Sequence, residues 1–147
     1  MRPIGISKAY DVAIWFLNHG PMSNKKLQNL IYYAYAWILT LQNHQLFDEP
    51  IFAWVHGPIV KSIYDKYNNY GFNEIPKVQN KPKFDPDTED ILNQVWQLYG
   101  KYDGIQLESM VHQTTPWKNA RKGLTPLETG DCIISDKDII EYFNQIE

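Results

Sequence analysis

Between Ser23 and Leu41 the apolar residues Leu27, Leu30, Ile31, Ala34, Ile38 and Leu41 recur at i, i+3, i+4, i+7, i+11 and i+14. That spacing is one continuous helical face. Tyr33 and Trp37 add a second stripe to the same segment. A helix apolar on most sides is stable only when other elements surround it, so the rest of the chain is expected to pack around this one. The unbroken apolar run, Leu30 to Leu39, is ten residues long, about half of what a bilayer crossing needs. The pattern predicts a buried central helix and no membrane span.

Glycine and proline divide the remainder. Ser7 is placed to cap a first helix running through Leu17, with Asn18-His19-Gly20-Pro21 as its stop. Ser23 caps the central helix. Pro50 breaks residues 46–57, where Ile51 to Val55 predict a short strand, half of a hairpin. Gly57-Pro58 is expected to open a new helix, because a first-turn proline loses no hydrogen bond. Ile59, Val60, Ile63, Tyr64 and Tyr67 form its inner face, and Asn68 to Gly71 end it. Residues 72–84 have no helical periodicity.

Asp85-Pro86 begins another helix, with Asp87, Glu89 and Asp90 near its positive end. Ile91, Leu92, Val95, Trp96 and Tyr99 point inward, and Gly100 stops it. Asp103 and Gln106 have capping-box spacing for a short helix to about His112. Thr115-Pro116-Trp117 reads as cap, first turn and anchor of the next, ended by Gly123. Ser135 caps a last helix with Ile139, Ile140, Phe143 and Ile146 on one face. These elements predict an all-α fold: a compact single domain over residues 1–147, with six to seven helices and a short β-hairpin near residues 50–56.

Composition narrows the function. The 147 residues include 5 Trp, 10 Tyr and 6 Phe, and a chain of this size buries roughly 70% of its unfolded surface. Such a chain needs no disulfide, and its aromatic content excludes disorder as the main state. Net charge is −3, unevenly spread, since residues 124–147 carry six acids and one Lys. Only 2 of 14 cations are Arg, so nucleic acid is not expected as a main partner. Cys132 is the single cysteine, which fits a reducing cytoplasm. Asp11 interrupts the N-terminal apolar stretch, unlike a secretory signal.

Catalytic signatures are missing: no Gly-rich phosphate loop, GxSxG, HExxH or CxxC. His19, His44, His56 and His112 do not pair at ligand spacing, so neither metal nor cofactor is expected. His56 and His112 each precede a presumed proline-led helix. Either is a general base or partner contact, or it satisfies backbone groups freed at a helix end, and the second reading is the simpler. Asp48-Glu49 and Asp87-Glu89-Asp90 are explained by the helix dipoles they are expected to precede. The Tyr32 to Trp37 aromatics resemble a base-stacking surface, but without interleaved cations they read as core. Arg121-Lys122 reads as a solvated helix end.

Three ordered blocks carry a resemblance. The first is Lys26-Leu27-Gln28-Asn29-Leu30-Ile31-Tyr32-Tyr33-Ala34-Tyr35-Ala36-Trp37. The second is Leu46-Phe47-Asp48-Glu49, then Ala53-Trp54-Val55-His56-Gly57-Pro58-Ile59-Val60 and Tyr64. The third is Leu107-Glu108, His112 and Pro116-Trp117-Lys118-Asn119-Ala120-Arg121, with Tyr142-Phe143 near the end. Together they resemble the Panacea domain, the SocA-like or GepA-type phage-associated family, over almost the whole chain. Glu108 and Val111 depart from the Ser and Thr of the pattern, and Tyr35 from a common Gln.

The resemblance implies an antitoxin of a bacterial or phage toxin–antitoxin system, neutralising a toxin encoded by a neighbouring gene through direct protein contact. One alternative it implies is an adaptor presenting the toxin to an AAA+ protease of the ClpXP type. An enzyme reversing a toxin's modification, with His56 or His112 as base, is the other alternative. No catalytic residue transfers from the family. The motif positions Trp54, His56, Gly57, Pro58, His112, Pro116, Trp117 and Arg121 are the candidate partner-binding or scaffold residues. Some relatives carry a DNA-binding module, for which a chain of this length is expected to have no room.

Overall fold

The computed structural model describes residues 8–146. Helix α1 is Ala9–Leu17; the expected cap Ser7 lies outside the described residues. Strand β1, Met22–Ser23, leads into α2, Asn24–Gln42. Ser23 caps α2 as expected, its hydroxyl accepting from the Lys26 N–H at 3.1 Å. At the other end Asn43 adopts a left-handed φ of 60° and returns its N–H to the Leu39 carbonyl.

α2 is the axis of the fold. Leu27, Leu30, Ile31, Tyr32, Ala34 and Ile38 are fully buried, and α1, three later helices (Pro86–Tyr99, Gly104–His112 and Asp136–Ile146) and a β-hairpin pack against it. Tyr33 stacks on Tyr99 at 3.9 Å, and Trp37 donates its indole N–H to the Tyr99 hydroxyl at 3.0 Å. Burial raises the Tyr33 hydroxyl pKa, as it does that of Tyr32. Leu41, expected on the buried face, is 46% exposed. The core has narrowed there, as the chain turns away at Asn43.

The hairpin pairs β2, Phe52–Trp54, with β3, Gly57–Ile59, in the register Phe52↔Ile59, Ala53↔Pro58, Trp54↔Gly57. Gly57-Pro58 therefore opens a strand, and the next helix, α3 (Lys61–Tyr67), begins only after Val60. The register explains why a proline fits. The Ala53 N–H goes to the Cys132 carbonyl at 2.7 Å and its C=O to Arg121, so Ala53↔Pro58 is a non-hydrogen-bonded pair in which Pro58 needs no donor.

A single 3-10 turn, Asn68–Tyr70, follows α3. The irregular segment after it contributes β4, Glu74–Ile75, which pairs antiparallel with β1. Helix α4, Pro86–Tyr99, is capped by Asp85 and followed by Gly100. Helix α5, Gly104–His112, has both bonds of the Asp103/Gln106 capping box. Gly104 is required where α5 meets α2, since a Cβ would fall 2.9 Å from the Lys26 nitrogen.

Helix α6, Thr115–Ala120, is preceded by Thr114 as N-cap residue, one position before the expected Thr115. Helix α7, Asp136–Ile146, buries Ile139 and Phe143 while Ile146 is 53% exposed. Among the described residues, seven α-helices and two small two-stranded sheets make the fold predominantly α. Among the described residues no helix is long and apolar enough to cross a membrane.

Candidate partner-binding groove

A groove of about 580 Å³ opens where the N-terminal end of α2 meets the hairpin and α3. Gln28 builds its floor. Its amide donates to the Val60 carbonyl at 3.3 Å and accepts from the Val60 N–H at 2.9 Å. The buried side chain thus fixes the end of the hairpin to the central helix. Beside it, Asn29 donates to the Lys25 carbonyl at 2.9 Å. Gly57, with φ +130°, lies directly over Asn29, and a Cβ there would be strained by its backbone conformation.

Aromatic side chains form the walls. Trp54 meets Tyr64 edge-on at 5.1 Å. The Trp54 indole donates to Asp131 at 2.8 Å, and Lys61 holds the other oxygen of that carboxylate at 3.0 Å. These two donors, the lysine first, keep Asp131 below the usual carboxylate range. Phe72 stands at the mouth and is 99% exposed.

The sequence motif divides across this site. Trp54, His56 and Pro58 line the groove, with His56 exposed on the two-residue hairpin turn and not at a helix start. Pro116, Trp117 and Arg121 are buried behind the hairpin. His112 closes α5 and stacks on Trp117 at 4.4 Å. Burial lowers its pKa, outweighing the opposing pull of Glu108. Glu108 itself pairs with Lys25 on α2.

Arg121 is not a solvated helix end. It is 7% exposed, donating from Nη1 to the Ala53 carbonyl at 2.8 Å and from Nη2 to the carbonyls of Thr125 and Glu128. Its guanidinium also lies 5.9 Å from the Trp117 ring centre. The acidic pairs are likewise used locally. Glu89 accepts the Trp15 indole N–H and Glu49 the Ser62 hydroxyl, and Asp48-Glu49 precede the hairpin and no helix.

Sequence reasoning missed Asn24, Asn29, Phe72 and Asp131 as groove residues. Phe72 carried the one usable signal, a large apolar residue in the polar stretch after Gly71. Among the described residues no group of three or more His, Cys, Asp or Glu could hold a metal ion. The sequence model of the family described as antitoxin SocA-like, Panacea domain, matches residues 27–118, from within the central helix into α6. No curated protein and no solved structure matches the chain.

Proposed function

Because the chain belongs to the SocA-like antitoxin family of Panacea domains, we propose that it neutralises a cognate toxin by direct, stoichiometric protein contact, with the groove beside the hairpin as the docking face. The observation that carries this reading is Phe72. A phenylalanine 99% exposed at the mouth of an aromatic-walled groove has no role in the core, and aromatic side chains dominate the energy of protein interfaces. A stable complex of this kind buries on the order of 1,600 Å² in total, so the groove would be its centre and the surrounding surface its rim.

The test is co-expression with the product of the adjacent gene. Toxicity of that product, growth rescue by this protein and co-purification near one-to-one support the reading. A toxic product that this protein neither counteracts nor binds overturns it. Protection at substoichiometric amounts, lost in a folded His56→Ala or His112→Ala variant, would support the enzymatic alternative instead. Toxin lifetime that shortens in the presence of this protein, and recovers when a ClpXP-type protease is deleted, would support the adaptor.

A further inference from the structure

The hairpin has a third extended segment beside it, and the outer edge of that segment is open. The Ala53 N–H goes to the Cys132 carbonyl at 2.7 Å and the Ile134 N–H to the Ile51 carbonyl at 2.9 Å. These bonds set Phe52 opposite Ile133 in antiparallel register. Because the neighbours of the pair carry both bonds, Ile133 turns its own N–H and C=O away from the hairpin. Neither group has a partner among the described residues, and the Ile133 side chain is exposed. Sheet edges are usually blunted by a charge, a proline or a covering element. Ile133 is an apolar residue with its backbone pair unspent, the arrangement that accepts an added strand.

What such a strand carries follows from the surroundings. Ile133 forms part of the wall of a cleft of about 300 Å³, together with Tyr35, Gln45, Asp48, Glu49 and Asp136. Three carboxylates stand there, and no Lys, Arg or His lines the cleft. Asp136 accepts from the Tyr35 hydroxyl and the Gln45 amide, and Glu49 from the Ser62 hydroxyl. Those donors are neutral, and among the described residues none of the three acids is in an ion pair. Lys61, over the neighbouring Phe52 ring, is taken by Asp131. A residue paired with Ile133 would lie on the same face of the sheet, its Cβ within about 5 Å of the isoleucine Cβ, and so beside these acids. A second copy of this chain suits the edge poorly, since edge-to-edge pairing would bring two sets of the same acids together.

Resting on the antitoxin reading for the identity of the partner, we propose that the Ile133 edge accepts an extended segment of the toxin as an added strand, with a lysine or arginine opposite Ile133 reaching toward Asp48, Glu49 and Asp136. The edge adjoins the groove, because Asp131, two residues before Ile133, lines it. One partner chain can therefore engage both.

The edge is testable without the toxin. The probe is the capped peptide acetyl-Thr-Val-Lys-Val-Thr-amide, titrated to millimolar concentration into the isotope-labelled full chain. Two analogues accompany it, one with Glu for the Lys and one N-methylated at the Lys nitrogen, which removes the N–H meant for the Ile133 carbonyl. The expected result is a saturable NMR shift centred on the Ile133 amide, with slowed hydrogen exchange there. Each analogue should bind at least about tenfold more weakly, and Asp48→Asn, at an exposed position, should weaken the parent peptide about threefold. No saturable shift at Ile133, equal binding by either analogue, or shifts at the Trp54 indole with Ile133 unmoved overturns the proposal. In a complex with the toxin, the Ile133 amide should again be protected. A complex that forms while Ile133 exchanges as in the free protein leaves the antitoxin reading standing and removes the added strand.

Discussion

Arg121 and Ala53 lie 68 positions apart and are joined by a buried hydrogen bond of 2.8 Å from the guanidinium to the carbonyl. With the bonds to Thr125 and Glu128, it ties α6 and the acidic loop to the back of the hairpin whose front forms the groove. Arg121→Leu leaves three carbonyls without their donor and is expected to cost at least about 1–3 kcal/mol in urea unfolding, the penalty of buried acceptors left unpaired. Arg121→Lys should recover only part of this, since one ammonium cannot reproduce the fork.

Gln28 performs the matching task from the α2 side. Gln28→Leu keeps the volume but strands the Val60 N–H and C=O in the interior. A loss of about 2–4 kcal/mol is expected, with hydrogen exchange at Val60 accelerated relative to the α2 amides.

Phe72 should behave in the opposite way. Being 99% exposed, Phe72→Ser is expected to change stability by no more than about 0.5 kcal/mol. Under the proposed docking it should nonetheless weaken toxin binding by about tenfold or more. Calorimetry on the complex and thermal unfolding of the free variant separate the two effects.

Stability should decline as the solution is acidified through the histidine range. Burial lowers the pKa of both His112 and His19 from 6.5, so below about pH 6.5 the unfolded chain binds more protons than the fold does. The contribution of the neutral rings is complete above that value and is lost as pH falls toward their lower folded values. Around His112 stand Glu108, which opposes the shift, and Arg121, Lys25 and His56, which reinforce it. Urea midpoints at about pH 7.5 and 5.5 should differ less in His112→Gln than in the wild type.

Much of this fold is legible from local rules. The caps at Ser23, Asp85 and Asp103 depend on a side chain and a backbone N–H three residues away, and such pairs are visible in any window of four residues. The apolar stripe of α2 specifies burial whatever surrounds it. Gly57-Pro58 misled because the dipeptide suits a helix start and a strand equally well. The choice was made by Ala53, whose N–H and carbonyl turn away to Cys132 and Arg121 and so release Pro58 from donating.

The site follows the same division. The sequence by itself determined the central helix, the helical class, the family and the motif residues, because these reside in spacing along one chain. Which motif residues face solvent was decided only in three dimensions. Trp54 and His56 line the groove, whereas Trp117 and Arg121 are enclosed behind it, although all four stand in comparable turn-and-proline surroundings. The physical reason is that a buried guanidinium requires carbonyl acceptors, and those of Ala53, Thr125 and Glu128 converge on Arg121 only when hairpin, helix and loop are packed together.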